Sequence, residues 1–599
     1  MLSTRRISET LLGASVAAVV LLPLCFHLQG YPFRTFHRPL GDQLKFEPSW
    51  HRLNNALMRF NFNKSLLVRT HPCRLPSLDP WEPSLLKYLN HTGTPEWLSA
   101  SLLYTSHNQL HLNTTVLGQL ELQWEKVRCY VLYLYKRLKW RGRFKWREHK
   151  WTPILALPFV LSPNFTSILT RCTSGVSGKE ISRRLHYYIP PPKPHVKKKK
   201  SFGRKYSVVI FIIDSLSQLN IRRSLPATLA AAHTIGGVFF KGHHKVGLNS
   251  QPNVMAMLSG SAAHPWNPLI INAFHKHGWT TMVFEDNHRA FVHAKPFDVD
   301  FVHSINYGMK HTKPTDVVRE LVSAYSDRPT FLHIHLAEYT HNVQNAARYY
   351  DTGLAEILAN LSNSGALRDT FFLVLGDHGP QFGAFPATVQ GNIENNMPGF
   401  LLVPPTSMKE SHPGFLTSLK ANSKVLTSHY DIHQTLRHLL ALGVGGQAVA
   451  SLYSGKTSQG RSLLQPLGPR SCSEAGVPIQ FCSCPQVQVA LEEETVGPIV
   501  KAVLEDINNL LGPLEDCQRF HVDTVTDGSM KIDGEKVLIE AFVEVTRKPV
   551  KFLVKIFHAA GTGWSNATAL VTRLDKYSLT SHCVTPQHRR LRPYCVCPQ

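Results

Sequence analysis

Two apolar runs constrain this chain more than anything else in it. Ile210-Phe211-Ile212-Ile213 ends at Asp214-Ser215, and Phe372-Leu373-Val374-Leu375 ends at Gly376-Asp377-His378-Gly379. Each run is short, continuous and rich in β-favouring residues, the pattern of a parallel strand buried on both faces. Strands of that kind belong to α/β layers, which place their sites at the carboxyl ends of strands. Carboxylates and an imidazole converging at one sheet edge make a metal-site geometry, so the chain reads as an enzyme.

The surrounding pattern extends this layer. Strand-like runs recur at 207–213, 280–284, 330–335, 370–375 and 399–403. Helical periodicity fills the gaps at 252–258, 315–325, 346–361 and 431–440. Alternation on this scale predicts an α/β fold over 206–443, a mostly parallel sheet with helices on both faces. A chain of 599 residues has room for more than this one core. Residues 31–190 form an aromatic-rich N-terminal region, and a Pro/Lys-rich linker follows at 191–205. A Gly/Ser-rich linker is expected at 444–470. A small cysteine-rich α+β domain is expected at 471–599, with a helix at 498–511 and hairpin-like runs at 537–545 and 550–557.

The N-terminus sets the compartment. Arg5 and Arg6 precede an uncharged apolar stretch, 11–28, about the minimum for a membrane span. The basic flank predicts a type II anchor within 1–30, with the body in the ER or Golgi lumen or outside the cell. A cleaved signal peptide, giving a secreted form, is the alternative. Asn-x-Ser/Thr sequons begin at Asn63, Asn90, Asn113, Asn164, Asn360 and Asn566, which suits a lumenal body. Of 11 cysteines, Cys25 lies in the apolar stretch, and the others cluster before and after the sheet region. That distribution predicts disulfides in an oxidising lumen. Zinc is the rival reading, but Cys-x-Cys spacing is tighter than structural zinc sites use.

A formal net charge of +24 favours anionic partners. For a lumenal body these are an acidic glycan or a phospholipid. The Arg/Trp-interleaved stretch 136–147 has chemistry suited to nucleic acid. A lumenal protein is not expected to meet any, so no nucleic-acid partner is expected.

Single residues at the candidate site carry little weight, and their order carries more. Asp214 alone also reads as a helix N-cap. Asp377 and His378 bring a hard oxygen and a borderline nitrogen to one ion, while Gly379 permits close backbone approach. Ser250 precedes a helix whose first turn holds Pro252. A hydroxyl there faces free N–H groups and the positive end of the helix dipole, although Ser250 also reads as an N-cap. His429 enters a helix at Ser428-His429-Tyr430-Asp431, and His341 follows a strand in Glu338-Tyr339-Thr340-His341. With 32 histidines present, neither stands out alone.

In chain order these are strand-Asp-Ser, then Ser250-Gln251-Pro252 running to Leu258-Ser259-Gly260, then Gly376-Asp377-His378-Gly379, then Ser428-His429-Tyr430-Asp431 to Thr435-Leu436. The series resembles the alkaline phosphatase–sulfatase superfamily. The nearest likeness is to the animal membrane-anchored sulfatase-like ectodomains catalogued as a domain of unknown function. Arg222-Arg223 before Leu225-Pro226, and Gly391-Asn392-Ile393-Glu394-Asn395-Asn396, add to it.

The resemblance implies roles. Asp214, Asp377 and His378 hold one divalent ion, with Ser250 as the nucleophile touching it. His429 matches the late histidine of the pattern, and His341 binds a second ion or steadies the transferred group. Zinc is the first expectation for the metal, with manganese or calcium as alternatives and the second ion left open. Three positions depart from the pattern. Ala337 stands where two-zinc relatives carry an aspartate, with Glu338 one residue off. Ser215 replaces a further acidic ligand of sulfatases, and Val254 replaces their arginine. The implied activity is metal-dependent phosphoryl transfer, or phosphodiester or phosphomonoester hydrolysis. A sulfatase and an inactive glycan-binding pseudoenzyme are the alternatives.

Overall fold

The computed structural model describes residues 66–598 except 71, 90–100, 107–108, 140–142, 149, 162–166, 188–202, 263–268, 287–300, 305–313, 342, 446–458, 485–486, 491–492, 534–535, 546–549, 560–567 and 576–579. The expected anchor at 11–28, most of the 191–205 linker and the sequons at Asn63, Asn90, Asn164 and Asn566 lie outside the described residues. Among the described residues no helix is long and apolar enough to cross a membrane.

The apolar runs form the centre of a seven-stranded sheet. Its strands are β1 (Ser207–Ile213), β2 (Val238–Phe239), β3 (Thr280–Glu285), β4 (Phe301–Ser304), β5 (Thr330–Leu336), β6 (Thr370–Leu375) and β7 (Phe400–Val403). Their spatial order is β2-β7-β6-β1-β5-β3-β4. The pairs from β6 to β4 are parallel, and β7 and β2 add antiparallel pairs at one edge. Side chains from Val208 to Ile213 are at most 2% exposed. Burying each contributes about 1.5–3 kcal/mol relative to exposure.

Alternation along the strands sorts residues between two faces. Val209, Phe211 and Ile213 of β1, with Leu332, Ile334 and Leu336 of β5, pack against helices Pro314–Ala324 and Asp351–Asn363. Val208, Ile210 and Ile212, with Phe371, Leu373 and Leu375 of β6, pack on the opposite face. There they meet α1 (Ser250–Ser259), α2 (Ile270–Lys276) and α3 (His429–Val444). The predicted parallel sheet with helices on both faces is therefore the observed one.

The described residues divide into two units, one of 66–489 with Lys531–Asp533 and the other of the remaining residues from Ala490 onward. Segment 459–470, expected as part of a linker, instead packs Leu463, Leu464 and Leu467 into the core beside α3. The Asn422 side chain donates to the carbonyls of Leu463 and Gln465. Cys472, Cys482 and Cys484 belong with the sheet body, since Cys73–Cys484 and Cys472–Cys482 are bonded. The N-terminal region carries an antiparallel sheet in which Cys129 faces Cys172 across the strands and is bonded to it. The second unit has a helix (Glu493–Leu510), antiparallel strands including Lys536–Val545 and Val550–Ala559, and the disulfides Cys517–Cys595 and Cys583–Cys597.

Candidate active site

The site grows from the ends of β1 and β6. Just past β1, Ser215 adopts left-handed backbone at φ 62°, which costs a non-glycine residue roughly 1–3 kcal/mol. In that conformation its N–H donates to Asp377 Oδ1 at 3.1 Å and its hydroxyl donates to Asp214 Oδ1 at 2.7 Å. The His378 N–H also donates to Asp377 Oδ1, at 2.9 Å. Each carboxylate thus has one oxygen held by the protein, and its Oδ2 is left for the cluster.

Ser250 is the first residue of α1, and Asn249 is its N-cap. The Ser250 hydroxyl therefore serves no cap. It lies 3.3 Å from Asp214 Oδ2 and 3.3 Å from His378 Nε2. The loop before it is stapled by Asn253, whose carboxamide bonds the N–H groups of Val246 and Gly247 and the carbonyls of Gly247 and Asn249. Ser250 is half-buried, whereas Asp214, Asp377 and His378 are buried. Ser250 is the least buried residue of the cluster.

The tautomer of His378 is set locally. Its Nδ1 lies 2.7 Å from the Gly379 carbonyl and so donates there, which leaves the Nε2 lone pair facing Ser250 and Asp377. Ligand atoms of Asp214, Asp377 and His378 lie within 4.8 Å of one another. Asp377 Oδ2 is buried and accepts no hydrogen bond. Its nearest neighbours are His378 Nε2 at 3.5 Å and His335 Nε2 at 3.6 Å, and a divalent ion would be held by this oxygen, Asp214, His378 and Ser250. The donor set fits the expected metal.

Electrostatics agree with a shared anionic pocket. Burial and the neighbouring Asp377 charge raise the Asp214 pKa. Burial pushes Asp377 the same way, but the imidazoles of His378 and His335 outweigh it and hold Asp377 well below the usual carboxylate range. Two close carboxylates dividing in this way form a coupled pair.

His335 was not singled out from the sequence. Its Nε2 stands 3.6 Å from Asp377 Oδ2 and 4.0 Å from Asp214 Oδ2. Burial alone would lower its pKa, but the two aspartates and Glu285 raise it to about 9. The signal was strand parity: Phe331, His333 and His335 alternate with core residues Leu332 and Ile334, so both histidines share the face where α1 begins.

The other two histidines stand apart from the cluster. His429, expected with the ligands, starts α3 under a capping box formed by Ser428 and Asp431. Its Nε2 lies 2.8 Å from the Asp377 carbonyl, and its Nδ1 faces His243 Nε2 at 3.4 Å. Both nitrogens are thereby engaged, and the ring supports the Asp377 backbone. His341 is exposed, and its ring lies against Phe382 with centroids 5.6 Å apart. Its charge reaches Asp214. Asp286 holds the loop before it, accepting from the N–H groups of Ala337 and Glu338. Burial raises Asp286 to about 7.

Residues 96–304 and 290–526 match the sequence profile of a family described as "Protein of unknown function (DUF229)". The chain belongs to the DUF229 family. No curated protein matches this DUF229 chain. Among solved structures it is similar to an alkaline phosphatase superfamily protein from Vibrio parahaemolyticus, at 12% identity and TM-score 0.36, over 65% of this chain and 85% of that one. It is also similar to the C-terminal periplasmic domain of EptC from Escherichia coli in complex with zinc, at 13% identity and TM-score 0.34, over 47% and 98%. A third is the lipooligosaccharide phosphoethanolamine transferase A from Neisseria meningitidis, at 13% identity and TM-score 0.32, over 42% and 57%.

Proposed function

We propose that this protein is a divalent-cation-dependent phosphoryl-type transferase or phosphoesterase that uses Ser250 as its nucleophile. The observation that carries the reading is the position of the Ser250 hydroxyl. It belongs to the least buried residue of the cluster, it opens α1, and it lies 3.3 Å from both Asp214 Oδ2 and His378 Nε2. A bound ion lowers the pKa of such a hydroxyl and polarises a phosphoryl oxygen.

The chain's own residues do the rest. The Ser250 O–H is directed at Asp214 Oδ2, which is within reach of its proton. The Ser250 Oγ–phosphorus bond forms as the ester oxygen departs, giving a phosphoserine and an alcohol. Free N–H groups at the start of α1 favour the negative charge held there. Attack by water or an acceptor hydroxyl then regenerates Ser250 and delivers the phosphoryl group. We assign His341, exposed in the loop after β5, the role of contacting the transferred group. A lumenal, type II-anchored body with net charge +24 points to an anionic glycan or phospholipid as substrate.

The position that carries arginine in sulfatases is here Val254, 1% exposed in the core beneath the site. It offers a sulfate no charge, which disfavours the sulfatase reading. The deciding experiment uses the purified full chain with zinc, manganese or calcium. It is offered a phosphodiester, a phosphomonoester and a sulfate ester, then quenched in acid for peptide mass spectrometry. The expected result is cation-dependent phosphoester cleavage with phosphate on the Ser250 peptide. Sulfate release, or formylglycine at position 250, would establish the sulfatase instead. No bound cation and no turnover would leave the pseudoenzyme.

A further inference from the structure

We infer that the protein has a separate small-molecule site, a pocket between the paired strands Leu66–Thr70 and Cys73–Pro76 and the helix Gln218–Ser224, and that this site takes an aliphatic carboxylate. The pocket measures about 310 Å³. Leu78, Ile393 and Met397 are among its apolar walls, and Gln218, Arg222 and Glu394 bring polar groups to it. None of Asp214, Ser250, Asp377 and His378 lines it. The inference therefore stands whether or not those residues hold a cation.

Two polar groups point to a ligand. Gln218 is 2% exposed, and among the described residues its Nε2 has no hydrogen-bond partner. An amide donor buried in this way is costly unless an acceptor meets it. Its backbone is fixed, since the Gln218 N–H donates to the Met397 carbonyl at 2.8 Å. Arg222 follows four residues later, on the same face of the helix. It is half-buried and makes no ion pair among the described residues; its guanidinium lies 6.0 Å from the centre of the Phe239 ring. Its neighbour Arg223 differs, being bound to Glu394 at 2.5 Å, and Ser217 donates to the same carboxylate. Glu394 thus borders the pocket with its charge already matched.

A ligand carboxylate answers both open groups. One oxygen accepts from the Gln218 amide, and the Arg222 guanidinium supplies charge-assisted donors. The apolar walls suit an aliphatic tail. At roughly 30 Å³ per heavy atom, the share of one water in the liquid, the pocket holds about ten such atoms, the size of octanoate. An alcohol of that length would leave the guanidinium unmatched, and a bare inorganic anion would leave the apolar walls wet.

The test is calorimetric titration of the purified full chain with octanoate, octanol and propionate, each against a protein-free blank. It is run on wild type, Gln218→Leu, Arg222→Gln and Leu78→Trp. Octanol and propionate should bind the wild type at least about 10-fold more weakly than octanoate. Gln218→Leu removes the amide donor and should weaken octanoate roughly 10-fold, the usual loss for one hydrogen bond to a charged group. Arg222→Gln should weaken it at least as much, and Leu78→Trp should fill the pocket and abolish binding. No octanoate binding by the wild type overturns the assignment. So does binding that all three variants keep, which would place octanoate elsewhere on the molecule. Octanol binding as tightly as octanoate would remove the carboxylate from the recognition and overturn it too. Melting temperature separates lost binding from lost fold. If Gln218→Leu does not fold, Arg222→Gln and Leu78→Trp decide, since both alter half-buried positions.

Discussion

The Ser215 N–H donates to Asp377 Oδ1 at 3.1 Å across the ends of two neighbouring strands. The same residue's hydroxyl donates to Asp214 Oδ1 at 2.7 Å. One serine, held at φ 62°, therefore aims both carboxylates of the site. In this chain the position orients the two carboxylates and adds no charge.

Ser215→Ala keeps the N–H and removes the hydroxyl. Asp214 then loses the contact that turns its Oδ2 toward Ser250. Cation affinity should fall roughly 10–100-fold, while stability of the metal-free protein falls by only about 1 kcal/mol. Chelator competition and thermal melting measure the two separately. Unaltered affinity would remove Ser215 from the site.

Ser250→Ala should reduce turnover to background and leave the cation bound. The aspartates and His378 do not need the hydroxyl to stay in place, since each is held by backbone groups or by Ser215. Metal content by elemental analysis beside the ester panel checks both halves. Retained turnover would move the nucleophile elsewhere.

The sheet and the edge that carries the candidate site were legible because burial on both faces leaves an unbroken apolar run, and its abrupt end marks Asp214 and Asp377. His335 escaped for the same reason. Inside a strand read as uniformly apolar, a histidine looks like an interruption, and only parity reveals that it shares a face with Ile212 and Leu375. The orientation of His429 was not legible, because it depends on distant partners. Arg470 pairs with Asp431, the residue that caps α3, and His243 comes from another strand. The packed leucines of 459–470 were hidden by Gly and Ser around them.

A buried ion pair braces the backbone beside the site. Arg223 and Glu394 are each 1% exposed at their side chains and 2.5 Å apart, and Ser217 also donates to Glu394. The Glu394 carbonyl lies where a Cβ on residue 379 would come within 2.0 Å. Glu394→Gln strands the guanidinium and should cost roughly 3–5 kcal/mol of stability. Arg223→Met with Glu394→Leu should recover much of that loss in urea unfolding. Gly379→Ala should disturb the site directly, seen as weaker cation binding, because its new methyl group meets backbone and not a movable side chain.

Acid should destabilise the metal-free protein through histidines buried in neutral form. His244 lies 3.0 Å from the Gly242 carbonyl through Nδ1 and accepts from the Ser483 N–H through Nε2. His433 Nδ1 lies 3.0 Å from the Met257 carbonyl. Burial lowers both from 6.5 to about 4, against the pull of those carbonyls. When the folded pKa of a base is depressed, the unfolded chain binds more protons between the two values, so stability rises with pH there. The contribution is complete above 6.5, is lost as pH falls toward 4, and levels off below. Each histidine should add a slope of up to about 1.4 kcal/mol per pH unit within that window. Urea midpoints from pH 7.5 to 4 measure it. His433→Gln should be less stable at pH 7.5 yet show a shallower decline, because one proton-binding group has gone. An equally steep decline in His433→Gln would mean that His433 does not titrate as its burial requires.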